Sequence, residues 1–181
     1  MVRIPHLRTL LLVWLTALYW VPRAHATEPV GELDLKAAYV FNFIQFIDWS
    51  NTTQPAEGDW LICVSSFSPL KRPLTALEGR FARKGQAIRV RLLDVSELRH
   101  CRVVVLHGSD PEPLLRALRT VPPRSGILTI SDQGADAPAD TMITLFQNGG
   151  RVAFGINTEA TGKAGLAVSS RLLRLARGAS K

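Results

Sequence analysis

The chain is short of the residues from which active sites are built. Two of its four histidines, His6 and His25, fall within the first 26 residues, so only His100 and His107 remain beyond them to act as a general base. A serine or cysteine nucleophile needs such a base beside it and a third group to orient it, and no G-x-S-x-G turn is present to expose one. Ser169-Ser170 stand directly before an amphipathic run, the place of a helix cap rather than of a nucleophile. Gly149-Gly150 lacks the lysine and following helix that let a glycine-rich loop hold phosphate. Asp132 follows a strand-like run, where α/β proteins often bind ligands, but Ser131-Asp132 reads first as a turn. The sequence therefore predicts no catalytic residue, no cofactor and a protein that is not an enzyme.

Acidic residues are missing from the first 26 positions, which carry Arg3, Arg8 and Arg23. A basic start, the apolar run from Thr9 to Val21 and the A-x-A sequence Ala24-His25-Ala26 read as a secretory signal peptide, residues 1–26, cleaved near Ala26. The run is too short to span a bilayer and no second long one follows. The exported part, residues 27–181, is expected to be one soluble domain with its core at about 32–177. Without the leader, 19 basic and 15 acidic residues leave a net charge of +4, against +7 for the whole chain. That surplus is scattered apart from Arg171, Arg174, Arg177 and Lys181, which argues against nucleic acid as a partner. The cluster itself reads as a solvated helix end favoured by the helix dipole.

Cysteine is almost lacking, with only Cys63 and Cys101, each beside a strand-like run. Export to an oxidising compartment makes a disulfide the first reading. Closing such a loop would stabilise the fold by about 4 kcal/mol at the upper end of the chain-entropy model. The rival is a metal site that adds His100 and His107, against which side chains at 100 and 101 point to opposite faces of a strand. The expectation is a disulfide and no metal.

The order of elements is legible in punctuation. Asn51 to Asp59 reads as a polar linker, and Trp60 to Ser65 as an apolar, central strand. Ser68-Pro69 predicts the cap and first turn of a short helix that Gly79 ends. After a surface connection from Arg80 to Gln86, Ile88, Val90 and Leu92 alternate with Arg89 and Arg91 as a half-exposed strand. Cys101 to Ile130 reads as a βαβ unit with parallel strands, its helix capped by Ser109-Asp110-Pro111 and stopped by Val121-Pro122-Pro123. Asn148-Gly149-Gly150 between two strand-like runs is the strongest hairpin signal. Beyond it, Val152, Phe154 and Ile156 face one way and Ala153, Gly155 and Asn157 the other. Asn157 caps a helix to Lys163, Gly165 ends it, and Ser169 caps the last helix. The fold class is α/β: a single-domain mixed sheet with a parallel βαβ unit and a C-terminal antiparallel hairpin, flanked by helices.

Aromatic and aliphatic residues crowd Lys36 to Trp49, KAAYVFNFIQFIDW. At helical period Leu35, Tyr39, Phe43, Phe46 and Ile47 make one stripe, with Val40, Phe41 and Ile44 largely outside it. So much apolar surface needs cover on several sides, from the protein's own core, a dimer mate or another protein. This stretch resembles the opening motif of the YfiR family of periplasmic proteins. The resemblance continues, in order, through Trp60–Ser65, Cys101–Leu106, Ile127–Asp132, Arg151–Asn157 and the segment AGLAVSSRLLRLA at Ala164–Ala176.

The resemblance implies a periplasmic inhibitor that binds the sensory domain of an inner-membrane diguanylate cyclase. It would keep cyclic di-GMP and biofilm formation low, and an outer-membrane lipoprotein would sequester it under envelope or redox stress. It implies a homodimer and adds weight to pairing of Cys63 with Cys101, while the second cysteine pair of some members is missing here. Gly149-Gly150 is followed by Arg151 and Val152 where a cyclase signature needs acidic residues, so any control of a cyclase must work by binding one. Phe154, Leu166 and Val168 match apolar family positions and are the candidate partner-binding residues; Gly155 stands where relatives often carry an acidic residue. The alternative is a periplasmic small-ligand receptor or an enzyme unconnected with a cyclase.

Overall fold

The computed structural model describes residues 31–53, 58–82, 85–139 and 141–176; the leader with Ala26, and Arg177 and Lys181, lie outside the described residues. The helices are α1 (Glu32–Phe46), α2 (Lys71–Thr75), α3 (Glu112–Arg119), α4 (Thr158–Lys163) and α5 (Ser170–Leu175). The strands are β1 (Ile47–Asp48), β2 (Trp60–Val64), β3 (Ile88–Leu92), β4 (Val103–Leu106), β5 (Leu128–Ser131), β6 (Ile143–Asn148), β7 (Arg151–Ile156) and β8 (Ala167–Val168).

β3-β2-β4-β5-β6-β7 form one sheet, parallel throughout except for the antiparallel pair β6–β7. The apolar runs of β2, β4 and β5 take its middle, as strands covered on both faces must. Alternate residues serve the two faces. Ile62, Val64, Val103, Val105, Leu128 and Ile130 pack with α1 in the larger core. Cys63, Val104 and Leu106 pack with Leu98, Ile127 and the half-buried Leu115 and Leu118 of α3 in a smaller one. In that second core Cys63 and Cys101 form a disulfide, with Cα atoms 5.8 Å apart. The sulfurs are thus not available as metal ligands.

The hairpin and the caps form as their residues dictate. Gly149 and Gly150 both take positive φ, 57° and 74°, which a two-residue turn between right-twisted strands needs and side chains resist. Asn157 Oδ1 accepts the Ala160 N–H at 3.0 Å, and Ser169 Oγ accepts the Leu172 N–H at 3.3 Å. Two other expected caps act otherwise. Ser68 Oγ accepts the Leu70 N–H in a turn, and the helix starts only at Lys71. Asp110 turns away from α3, whose N-cap position falls to Pro111, and ties two strand ends instead. Between α2 and β3, Phe81 and Ala87 make an isolated bridge, so the connection expected there is stitched at its ends.

α1 is rotated from its expected setting. Ala37, Val40, Phe43 and Ile44 point into the core with Ile47, whereas Leu35 and Phe46 are 39% and 38% exposed. Val40 and Ile44, set outside the stripe by the sequence, are fully buried. With apolar residues all round, periodicity cannot choose a face, and contact with the sheet decides. Lys36 is buried as well, and its ammonium lies 2.8 Å from Glu32 Oε1.

Candidate partner-binding surface

The end of α1 is where the first and last elements meet. β1 pairs antiparallel with β8, Ile47 opposite Val168 and Asp48 opposite Ala167, and the Ser169 N–H donates to the Phe46 carbonyl at 3.3 Å. Trp49 anchors the same corner, its indole N–H on the Gly126 carbonyl at 2.9 Å and its ring edge-on to Trp60 with centroids 4.9 Å apart. Gly165, at φ 79°, passes so close that a Cβ would lie 2.6 Å from the Asn51 carbonyl oxygen. This close approach lets the chain turn from α4 into β8.

The three candidate residues separate. Phe154 is 2% exposed, set between Tyr39 and Phe43 with ring centroids 5.5 and 5.0 Å away. Leu166 is equally buried, in the same core. Val168 is half-buried on β8 beside the exposed Ala167. As placed, Phe154 and Leu166 hold α1 against the sheet, and Val168 alone of the three reaches the surface.

Exposed apolar groups that were not among the three candidate residues lie along α1 and α5. Leu35 and Phe46, with the half-buried Tyr39, follow one side of α1 at helical spacing, and Phe46 adjoins β8 through its carbonyl. On the other side Arg80 lies over the Phe41 ring at 4.0 Å, and the exposed Phe81 is tied to Gln45. Leu175 is exposed on α5, as are Arg171 and Arg174. The signal for these was present in the surplus of aromatic residues, but their identity depended on the rotation of α1.

The place where an α/β fold usually binds ligands is filled by its own side chains. Strand order reverses between β2 and β4, so the crevice to inspect lies beyond Ser65 and His107. Ser65 Oγ donates to Asp110 Oδ1 at 2.6 Å, and Asp110 Oδ2 accepts the His107 N–H at 2.8 Å. The Ser109 N–H goes to His107 Nδ1 and the Gly108 N–H to Gln133. The backbone N–H groups of Phe67, His107, Gly108 and Ser109, which could cradle an anion there, are in use. Asp132, at the end of β5, gives its carbonyl to Lys36 at 3.5 Å, and Ser131 Oγ accepts the Gln133 N–H as a turn.

Charge around α1 is structural. The Glu32 carboxyl is held below its usual range by hydrogen bonds from Lys36 first and Gln147 second. Burial lowers the Arg102 guanidinium, which lies over the Trp60 ring at 5.3 Å.

No curated protein matches the chain significantly. The family model described as YfiR/HmsC-like matches residues 33–177, from the first turn of α1 to just past α5. That stretch takes in the disulfide, both cores and the β1–β8 corner, and so the chain belongs to the YfiR/HmsC-like family.

Proposed function

We propose that the protein is a periplasmic regulatory binding protein that represses an inner-membrane diguanylate cyclase by docking on its periplasmic domain. Cyclic di-GMP then stays low and biofilm formation is restrained. Family membership across residues 33–177 is the observation that carries this reading. The disulfide fits an oxidising compartment, and the exposed Leu35 and Phe46 supply apolar anchors of the kind that interface centres use. In the same reading the protein works as a homodimer and is withdrawn from the cyclase by an outer-membrane lipoprotein. The contact surface is Phe46 with Val168, and Phe154 and Leu166 shape it from beneath.

Phe46→Asp tests the surface in cells. An apolar anchor lost from an interface centre costs a few kcal/mol, about a hundredfold in affinity. Cyclic di-GMP should rise to the level of a gene deletion while the purified variant melts like the parent. A deletion that leaves cyclic di-GMP and biofilm unchanged under resting and reducing conditions sinks the repressor reading.

A further inference from the structure

Among the described residues, Arg124 is the one non-glycine with a positive φ, 61°. It takes the third place of the turn Pro122-Pro123-Arg124-Ser125, which the Ser125 N–H closes on the Pro122 carbonyl at 3.2 Å. Proline second and a positive φ third are the marks of a type II turn, and the third place usually goes to glycine or asparagine because a Cβ resists it. A side chain stays in that conformation only where its surroundings hold it there.

Those surroundings are the two loops that frame the β1–β8 corner. The Arg124 N–H donates to the Lys163 carbonyl, at the end of α4, at 2.8 Å. Its carbonyl accepts the Thr53 N–H at 2.9 Å and the Thr53 hydroxyl at 3.3 Å. The side chain returns to the same loop, Nε donating to the Asn51 carbonyl at 2.9 Å. One residue thus ties the chain that leaves β1 to the chain that leads into β8. Two residues on, the Gly126 N–H donates to the Ala164 carbonyl at 3.0 Å, while the Gly126 carbonyl takes the Trp49 indole. A glycine at 124 would enter the turn more readily, but it would bring no donor to Asn51.

We infer that Arg124 is the positioning residue of the partner-binding corner. Its left-handed backbone and its side chain together hold β1 against β8 and so fix Phe46 and Val168 relative to one another. This rests on the reading of that pair as the contact surface. Arg124 acts through the two loops and not through its charge.

Two substitutions separate position from charge. In Arg124→Gln the side-chain amide nitrogen falls where Nε was, so the bond to Asn51 is kept and the charge is lost. In Arg124→Met a methyl takes that place, and both are lost. Hydrogen exchange of the exported, oxidised protein, read by NMR at single amides, is the test. Ser169, whose N–H reaches the Phe46 carbonyl, reports the corner, and Val104 and Ile130 report the central strands. Arg124→Met should speed exchange at Ser169 about fivefold, the effect of one ordinary hydrogen bond, and leave the central strands unchanged. Arg124→Gln should exchange like the parent. Arg124→Pro, which has no N–H and cannot take a positive φ, should speed Ser169 about a hundredfold. If that variant does not fold, the Met and Gln pair carries the test. Unchanged exchange at Ser169 in Arg124→Met, or an equal rise at Val104 and Ile130, would overturn the inference. So would a Gln variant as fast as the Met variant, which would put the effect in the charge. The readout needs no cyclase, so the clamp and the repressor reading can each fail alone.

Discussion

Phe154→Ala separates a core role from a contact role at a position the sequence alone assigned to the partner surface. The ring is 2% exposed and touches two other aromatic rings at 5.0 and 5.5 Å. Truncating a buried phenylalanine removes its transfer energy and leaves a cavity, together about 3–5 kcal/mol. Up to about 1 kcal/mol of that reflects each lost ring pair. For a domain of this size each kcal/mol moves Tm by about 2–4 °C, so a fall of about 12 °C is expected. Differential scanning calorimetry of the oxidised protein measures it, and the Tyr39 ring should become more mobile by NMR. Val168→Ala, on a half-buried two-residue strand, should move Tm by no more than about 3 °C. Should Phe154→Ala melt within about 2 °C of the parent, the packing argument is wrong and a direct contact role for Phe154 returns.

Other outcomes follow from single features. Replacing Cys63 and Cys101 together by Ala should destabilise the fold by up to about 4 kcal/mol, read as a shift of the urea midpoint; an unchanged midpoint would show that the 38-residue loop is held by packing alone. Thr141 is buried with a hydroxyl that lacks a hydrogen-bond partner among the described residues, so the isosteric Thr141→Val should raise Tm by about 3 °C, and a fall would mean that the hydroxyl is satisfied. Because the folded Glu32 carboxyl titrates below its unfolded value, its contribution is present above the unfolded pKa and fades as pH falls through the folded one. Melting from about pH 6 to about pH 3 should therefore show a smaller acid loss in Glu32→Gln than in the parent; equal loss would place the acid sensitivity elsewhere. At pH 7 the same variant should melt lower, since it strips the partner from the buried Lys36.

Local chemistry was the most readable part of this chain. The Gly149-Gly150 turn, the Asn157 and Ser169 caps and the βαβ unit each depend on a few neighbouring residues, and each stands as expected. The disulfide needed only a compartment argument and two strand-like runs. What failed to show were choices made by distant partners. The face that α1 turns inward was decided by the sheet, because apolar residues ring the helix and the buried Lys36 reaches the exposed Glu32 carboxyl and the Asp132 carbonyl. Asp110 looked like a cap because Pro111 follows it, yet Ser65, 45 residues away, claims its carboxylate. Phe154 and Leu166 carried the apolar character that both cores and interfaces use, and only burial tells the two apart.

The pairing of β1 with β8 joins residues about 120 positions apart through a ladder only two residues long. Closing so long a loop for so few hydrogen bonds becomes favourable only after the intervening sheet has brought the ends together. The corner that presents Phe46 and Val168 is therefore among the last parts of the protein to form. A chain still being translocated, whose sheet is not yet assembled, does not make the surface that Phe46 and Val168 form.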